Sequence, residues 1–306
     1  MIIAVFPGQG SQTPGFLSPW LELDGARERL AAFSEQAGVD LVAAGTEWDA
    51  DRIRDTSVAQ PLIVAASLLS WAALNDRAGT PVAGVAGHSV GEIAALAASG
   101  VLSDADALRL VGLRGRAMAE AATAVETGMS AVVGGDEQVV LERLEALSLT
   151  PANYNGGGQI VAAGELPALS ELASEAPRGT RVIPLQVAGA FHTRFMEPAV
   201  ATLRAAAADV EVADPDTTLW TNSDGSVVSE GRRALDLVVA QVASPVRWDR
   251  CMASFAAHGV TGIIELSPAG ALTGLAKRAL RGTPTVAVKT PDDLDAAVAL
   301  LKGEQA

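Results

Sequence analysis

Short apolar runs alternate with segments of helical periodicity along most of the chain, and together they outline a fold. Ile2–Phe6 is an apolar run stopped by Pro7-Gly8, which suits a buried strand. Gly25–Gln36 has helical spacing, and Pro61–Asn75 reads as a largely buried helix with proline at its first position. Val82–Ala86 is a second apolar strand, ending at Gly87-His88-Ser89. Val90–Ala98 is an alanine-rich helix closed by Gly100, and Ser103 or Asp104 caps a long helix running to about Ala122.

The pattern then changes. Met129–Val133 reads as a strand, Asp136–Leu147 as a helix, and Ala152–Asn155 and Gln159–Ala163 as strands joined by Gly156-Gly157-Gly158. Pro167–Ser174 is a short helix and Arg181–Val187 a strand. This β-α-β-β-α-β order is that of a ferredoxin-like unit. Beyond it come the helix Glu197–Ala208, the strand Thr218–Thr221, and helices at Ala234–Val242 and Pro245–Ala257. The strand Gly262–Leu266, helix Gly270–Leu280, strand Thr285–Val288 and helix Asp292–Leu301 complete the pattern. Short apolar strands alternating with helices predict an α/β domain with a mostly parallel sheet covered on both faces. We expect a core made of residues 1–124 and 191–306, with 125–190 inserted as a small α+β subdomain.

Composition narrows the chemistry. A length of 306 residues suits one large domain or one carrying an insertion. With 22 Lys and Arg against 36 Asp and Glu, the net charge is −14, and no Lys/Arg-rich tract offsets it. Nucleic acid is therefore not an expected partner. Cys251 is alone, which excludes an internal disulfide and a cysteine-based metal site, and the three histidines lack metal-ligand spacing. The N-terminal segment has no basic region of the signal-peptide kind. No uninterrupted apolar run approaches the roughly 18 residues of a membrane span. The expectation is a soluble cytoplasmic protein that does not enter a membrane.

Gly87-His88-Ser89-Val90-Gly91 fits G-x-S-x-G, and its context strengthens the match, since a predicted strand precedes it and a predicted helix follows. Such a turn presents a serine hydroxyl at a strand's C-terminal end, and the Val90 amide would head a helix and face an oxyanion. A serine needs a base. His88 adjoins it and should point elsewhere, and His258 stands at a predicted helix end, where histidine caps carbonyls. His192 lies between a strand and a helix, in the kind of loop that carries function, and is the remaining candidate.

The helix after the elbow carries an apolar stripe of Ala107, Leu110, Val111, Met118 and Ala121, and Arg114 falls on it. Arg109 and Arg116 project from the other side. A charge on an apolar stripe is costly unless paired, so Arg114 should face a carboxylate. That carboxylate belongs either to a structural ion pair or to a substrate held in a bidentate clamp.

Several segments in order resemble the malonyl-CoA:acyl carrier protein transacylase family. They are Phe6-Pro7-Gly8-Gln9-Gly10-Ser11-Gln12, Gly87-His88-Ser89-Val90-Gly91-Glu92, Arg114-Gly115-Arg116-Ala117-Met118 and Gly189-Ala190-Phe191-His192-Thr193. Asn153-Tyr154-Asn155, Ser244-Pro245-Val246-Arg247-Trp248, and Ser267-Pro268 through Leu272-Thr273 fit as well, so the resemblance spans about residues 2–301. It implies a hydrolase-like α/β core with a ferredoxin-like insertion. It further implies that Ser89 accepts the acyl group, that His192 is the base, and that Gln9 and Val90 supply backbone N–H groups to an oxyanion hole. Arg114 would bind the malonyl carboxylate. The histidine would be oriented by a backbone carbonyl near the Pro-Val-x-Trp segment, here assigned to Arg247, where the family often has glutamine. Phe191 resembles the malonyl-selective pattern.

The implied reaction is a ping-pong transfer from malonyl-CoA to the phosphopantetheine thiol of an acyl carrier protein, through a malonyl-serine ester, in fatty acid or polyketide synthesis. It requires neither a metal nor a tightly bound organic cofactor, and we expect a monomer. Because carrier proteins are usually acidic, docking would need a local basic patch. Lys277, Arg278 and Arg281 are the first candidate and Arg232-Arg233 the second. Two rivals share the elbow: a serine hydrolase or thioesterase, whose acid and histidine usually follow the serine, and a patatin-like lipase, whose Asp-Gly could be claimed at Asp224-Gly225. A non-catalytic scaffold is a third reading, with no reason to keep Ser89, His192 and Arg114 together.

Overall fold

Ile3, Ala4, Val5 and Phe6 are fully buried because β1 (Ile2–Phe6) has a parallel neighbour on each side, which leaves it no solvent-facing edge. This computed structural model describes residues 1–304; the last two positions of the expected core lie outside the described residues. The remaining strands are β2 (Gly84–Gly87), β3 (Thr127–Gly134), β4 (Thr150–Gly156), β5 (Gln159–Glu165), β6 (Thr180–Pro184), β7 (Thr218–Trp220), β8 (Val227–Val228), β9 (Gly262–Glu265) and β10 (Thr285–Ala287). They form a six-stranded sheet in the order β10-β9-β1-β2-β7-β8 and a four-stranded sheet in the order β4-β5-β3-β6. The first is parallel except for β8, a two-residue edge strand that the sequence pattern did not suggest. The second is antiparallel throughout.

The small sheet and the helices Glu137–Ala146 and Leu166–Ser174 have a core of their own, including Val132, Val140, Leu144, Ile160 and Leu172. Backbone bonds also tie this sheet to the rest of the chain. Tyr154 N–H donates to the Val246 carbonyl, and Val246 N–H to the Ala152 carbonyl, both at 2.9 Å. The strand β4 is thereby fixed against the segment that follows the helix Gly231–Gln241.

Two helix boundaries differ from expectation for identifiable reasons. The buried helix begins at Thr56 rather than Pro61 and runs to Ala78, because the Asp55 side chain caps it by accepting from Ser57 N–H. Pro61 therefore sits inside the helix. The helix expected from Pro245 begins at Trp248 instead, since Val246 bridges to Asn153 of β4. Ser103, not Asp104, caps the long helix Asp104–Ala122. Short helices at Leu41–Thr46 and Ala50–Arg54, each capped by an aspartate, carry too few apolar positions to show a period. The helix Thr56–Ala78 is long and apolar enough to cross a membrane by composition, but 72% of its most apolar stretch is buried in the protein.

Candidate active site

The strand β2 and the helix Gly91–Ala98 meet in a turn that only glycine permits at two places. A Cβ on Gly87 would lie 2.0 Å from the Gly91 carbonyl carbon, and one on Gly91 would lie 2.2 Å from the Phe6 oxygen. Between them Ser89 has φ of +53°, the left-handed region that serine seldom adopts. Its Oγ is 2.7 Å from Nε2 of His192.

His192 also has positive φ, +61°, and its main-chain N–H donates to the Val242 carbonyl at 3.2 Å. Its Nδ1 is 2.8 Å from the Gln241 carbonyl oxygen. A carbonyl can only accept, so Nδ1 carries the hydrogen and Nε2 offers a lone pair to the serine hydroxyl. Burial, with the nearby Arg114 charge adding to it, pushes the imidazole down to about 3, against the pull of the Gln241 carbonyl. The ring is neutral at ordinary pH, the form a base requires.

The orienting carbonyl is therefore that of Gln241, not Arg247. Gln241 ends the helix Gly231–Gln241, where carbonyls have no partner within the helix. Arg247 lies farther on. Its N–H donates to the Asn222 carbonyl at 2.8 Å, its guanidinium pairs with Asp249 at 2.6 Å, and it stacks on Tyr154 at 4.2 Å.

Arg114 is 1% exposed, as its place on the apolar stripe requires. It does not face a carboxylate directly. Nη1 donates to Gln60 Oε1 at 2.7 Å and Nη2 to Gln241 Oε1 at 3.2 Å, while Nε has no partner among the described residues. Behind Gln241 stands Glu92, whose Oε2 accepts from Gln241 Nε2 and whose Oε1 accepts from Asn222 N–H at 2.8 Å. Burial raises the Glu92 carboxyl to about 8, opposed by the Asn222 N–H and by Arg114. Burial likewise lowers Arg114 to about 10, opposed by Glu92. Arg109 and Arg116 lie on the outer side, on Asp106 and the Ala37 carbonyl.

A cavity of about 410 Å³ opens onto the pair. Ser89, His192, Gln9 and Phe191 line it together with Met129 of β3, Asn153 and Asn155 of β4, and Arg278. It thus lies between the two sheets. Two larger surface hollows, of about 550 and 580 Å³, contain no nucleophile–base pair. Arg114 is not part of the cavity wall. Neither Gln9 nor Val90 donates its main-chain N–H to another group among the described residues, whereas the Ser89 N–H donates to Asn222 Oδ1 at 2.8 Å. Two free N–H groups flank the serine, one of them heading a helix.

The other histidines are otherwise engaged. His88 Nε2 meets Asn155 Oδ1 at 2.9 Å, with its pKa lowered by burial, and His258 Nδ1 meets the Ser254 carbonyl at 2.8 Å. Asp224 is exposed and accepts from Ser226 N–H, as turn residues do, which removes the aspartate a patatin-like dyad needs. Lys277, Arg278 and Arg281 are exposed near the end of the helix Ala271–Ala279. Arg232 instead donates to the carbonyls of Ala207 and Val210. Sequence reasoning missed Gln60, Asn222 and Gln241, and it named Glu92 only as part of a motif. Their bonds to Arg114 and Glu92 join residues 54 to 149 positions apart, which no local spacing signals.

The sequence model for the acyl transferase domain matches residues 3–301. A malonyl CoA-acyl carrier protein transacylase of Mycobacterium tuberculosis is 55% identical over 298 residues, covering 96% of this chain and 98% of its own. A crystal structure of MCAT from Mycobacterium tuberculosis superposes with a TM-score of 0.94 at 54% identity, covering 97% of this chain and all of that one. A malonyl-transacylase solved in complex with a type II PKS acyl-carrier protein gives a TM-score of 0.93 at 30% identity, covering 98% and 99% of the two chains.

Proposed function

The chain belongs to the acyl transferase family, and we propose that it moves a malonyl group from malonyl-CoA to the phosphopantetheine thiol of an acyl carrier protein through a malonyl ester on Ser89. The observation that carries the site assignment is the Ser89–His192–Gln241 line. A hydroxyl lies 2.7 Å from a neutral imidazole whose far nitrogen is held by a carbonyl.

In the first half-reaction His192 Nε2 takes the Ser89 proton as Oγ attacks the thioester carbonyl. The N–H groups of Gln9 and Val90 receive the developing oxyanion, a contribution of about 3–4 kcal/mol per donor in comparable sites. The tetrahedral intermediate collapses, the C–S bond breaks, and His192 returns the proton to the departing CoA thiolate. In the second, His192 takes the proton of the carrier thiol, sulfur attacks the ester, and Ser89 leaves with that proton.

Arg114 selects the acyl group. Its guanidinium has five N–H donors, of which one on each Nη is taken by the Gln60 and Gln241 side-chain oxygens while Nε has no partner among the described residues, so donors remain for a malonyl carboxylate. Phe191 in the cavity wall limits substitution on the malonyl carbon. Lys277, Arg278 and Arg281 form the basic patch that meets the acidic carrier. We place the enzyme in the cytoplasm as a monomer, without nucleic-acid or membrane partners.

Intact-mass analysis of the protein mixed with malonyl-CoA alone tests this reading, with Ser89→Ala in parallel. A malonyl adduct absent from Ser89→Ala is expected. CoA release without an adduct would instead favour a thioesterase, and neither product would favour a scaffold.

A further inference from the structure

We propose that Asn222 is a positioning residue that holds the strained Ser89 backbone in its reactive geometry, and that Glu92 and Gln241 fix Asn222 in turn. The inference rests on Ser89 being the acyl acceptor. Asn222 is 0% exposed and spans the nucleophile's turn from both sides. Its Oδ1 accepts from Ser89 N–H at 2.8 Å and its Nδ2 donates to the Gly87 carbonyl at 2.7 Å. The clamp thus closes on the residues that bracket His88, next to a serine whose φ of +53° is unfavourable without support.

The amide cannot turn over, because its surroundings fix which end is which. Gln241 Nε2 also donates to Asn222 Oδ1, at 3.1 Å, while the Gly87 oxygen can only accept. The Asn222 main chain is pinned as well, its N–H on Glu92 Oε1 and its carbonyl on Arg247 N–H. Taking up the Ser89 N–H has a second effect: of the amides around the elbow, it leaves that of Val90 as the one facing an incoming oxyanion. Gln241 belongs to this frame through its side chain and orients His192 through its carbonyl. One set of buried amides therefore sets both members of the reacting pair.

The test is single-turnover acylation by malonyl-CoA across a concentration series, for the parent, Asn222→Ala and Asn222→Ser, with folding checked by circular dichroism. A misplacement of about 1 Å costs about 100-fold in rate. The maximal acylation rate of Asn222→Ala should therefore fall by about that factor, while the concentration at half-maximal rate moves less than about 3-fold. Serine, able to satisfy one of the two partners, should lie between. If the alanine variant does not fold, the serine variant decides alone. A folded variant with the parent's maximal rate, or a loss confined to the half-maximal concentration, overturns the proposal. Failure of the parent itself to form the adduct would instead overturn the reading of Ser89.

Discussion

The Gln241 carbonyl oxygen sits 2.8 Å from Nδ1 of His192. A neutral acceptor is enough to fix the tautomer, so no acid needs to be buried behind this base. It places no full negative charge on the imidazole, and its hydrogen bond offsets only part of the lowering that burial and Arg114 impose. The base is thus held ready over a wide pH range.

That arrangement has a kinetic signature. With His192 held near 3, well below the ordinary histidine range, the neutral form persists as pH falls. Single-turnover acylation by malonyl-CoA should stay within about 2-fold between pH 7 and pH 5. A titration with a midpoint near 6.5 in that profile would show that the imidazole is not shielded in this way.

Stability should respond to pH in a second pattern. Glu92 is raised to about 8, so the native state binds a proton that the unfolded chain releases near 4.5, and this contribution is lost as pH rises toward 8. His192 works in the opposite sense: it favours the native state above 6.5 and loses that contribution as pH falls toward 3. The two oppose each other between about 4.5 and 6.5, and Glu92 acts alone between about 6.5 and 8. Denaturant unfolding of the parent should show stability declining across the upper window, and Glu92→Gln should remove that slope. An unchanged slope in the variant would assign it to other groups.

Arg114→Ala should lower malonyl adduct formation by about 100-fold, the loss typical of cutting a buried charge contact. Labelling by acetyl-CoA, which has no carboxylate to hold, should be unchanged or improved. Equal losses with both thioesters would mean that Arg114 is structural only, which its existing bonds to Gln60 and Gln241 could sustain.

Arg247→Ala provides a check on the base's orientation. Its side chain is engaged with Asp249 and Tyr154, and its carbonyl is not the one on His192. The acylation rate should stay within about 3-fold, at a stability cost of about 0.5–1 kcal/mol from the partly exposed ion pair. A fall in rate of about 100-fold would place Arg247 in the catalytic apparatus after all.

Charge reversal at Lys277 and Arg278 should slow transfer to the carrier protein, most strongly at low salt, while leaving acylation by malonyl-CoA near the parent rate. The half-reactions can be followed separately by adduct formation and adduct discharge. Since Arg278 also borders the cavity, Lys277→Glu alone isolates the docking contribution.

These residues mark where the sequence was informative. Ser89 was legible because a nucleophile's turn is written locally: the two glycines, the strand before them and the helix after them lie within one short stretch. Arg114 was legible as a buried cation from helical spacing, but its partners were not, because Gln60 and Gln241 come from other helices. The alternation of strands and helices carried over into the parallel sheet and the separate antiparallel one. The assignment of Arg247 failed for the same reason that Asn222 went unnoticed. Which carbonyl or amide faces a given ring depends on how helix ends and loops pack, and any residue has a carbonyl to offer.

The pairing of β1 with β9 has a bearing on how the protein is made. Ile2 stands opposite Gly262, so the strand at the middle of the six-stranded sheet finds one of its two neighbours only after most of the chain has followed it. During synthesis from the N-terminus, Ser89 and His192 both leave the ribosome before Gln241, and Gln241 before β9. Contacts of such long sequence separation slow folding. The nascent polypeptide therefore passes through a long interval in which the nucleophile exists but the frame that arms it does not, with the flank of β1 left open for other chains to pair with.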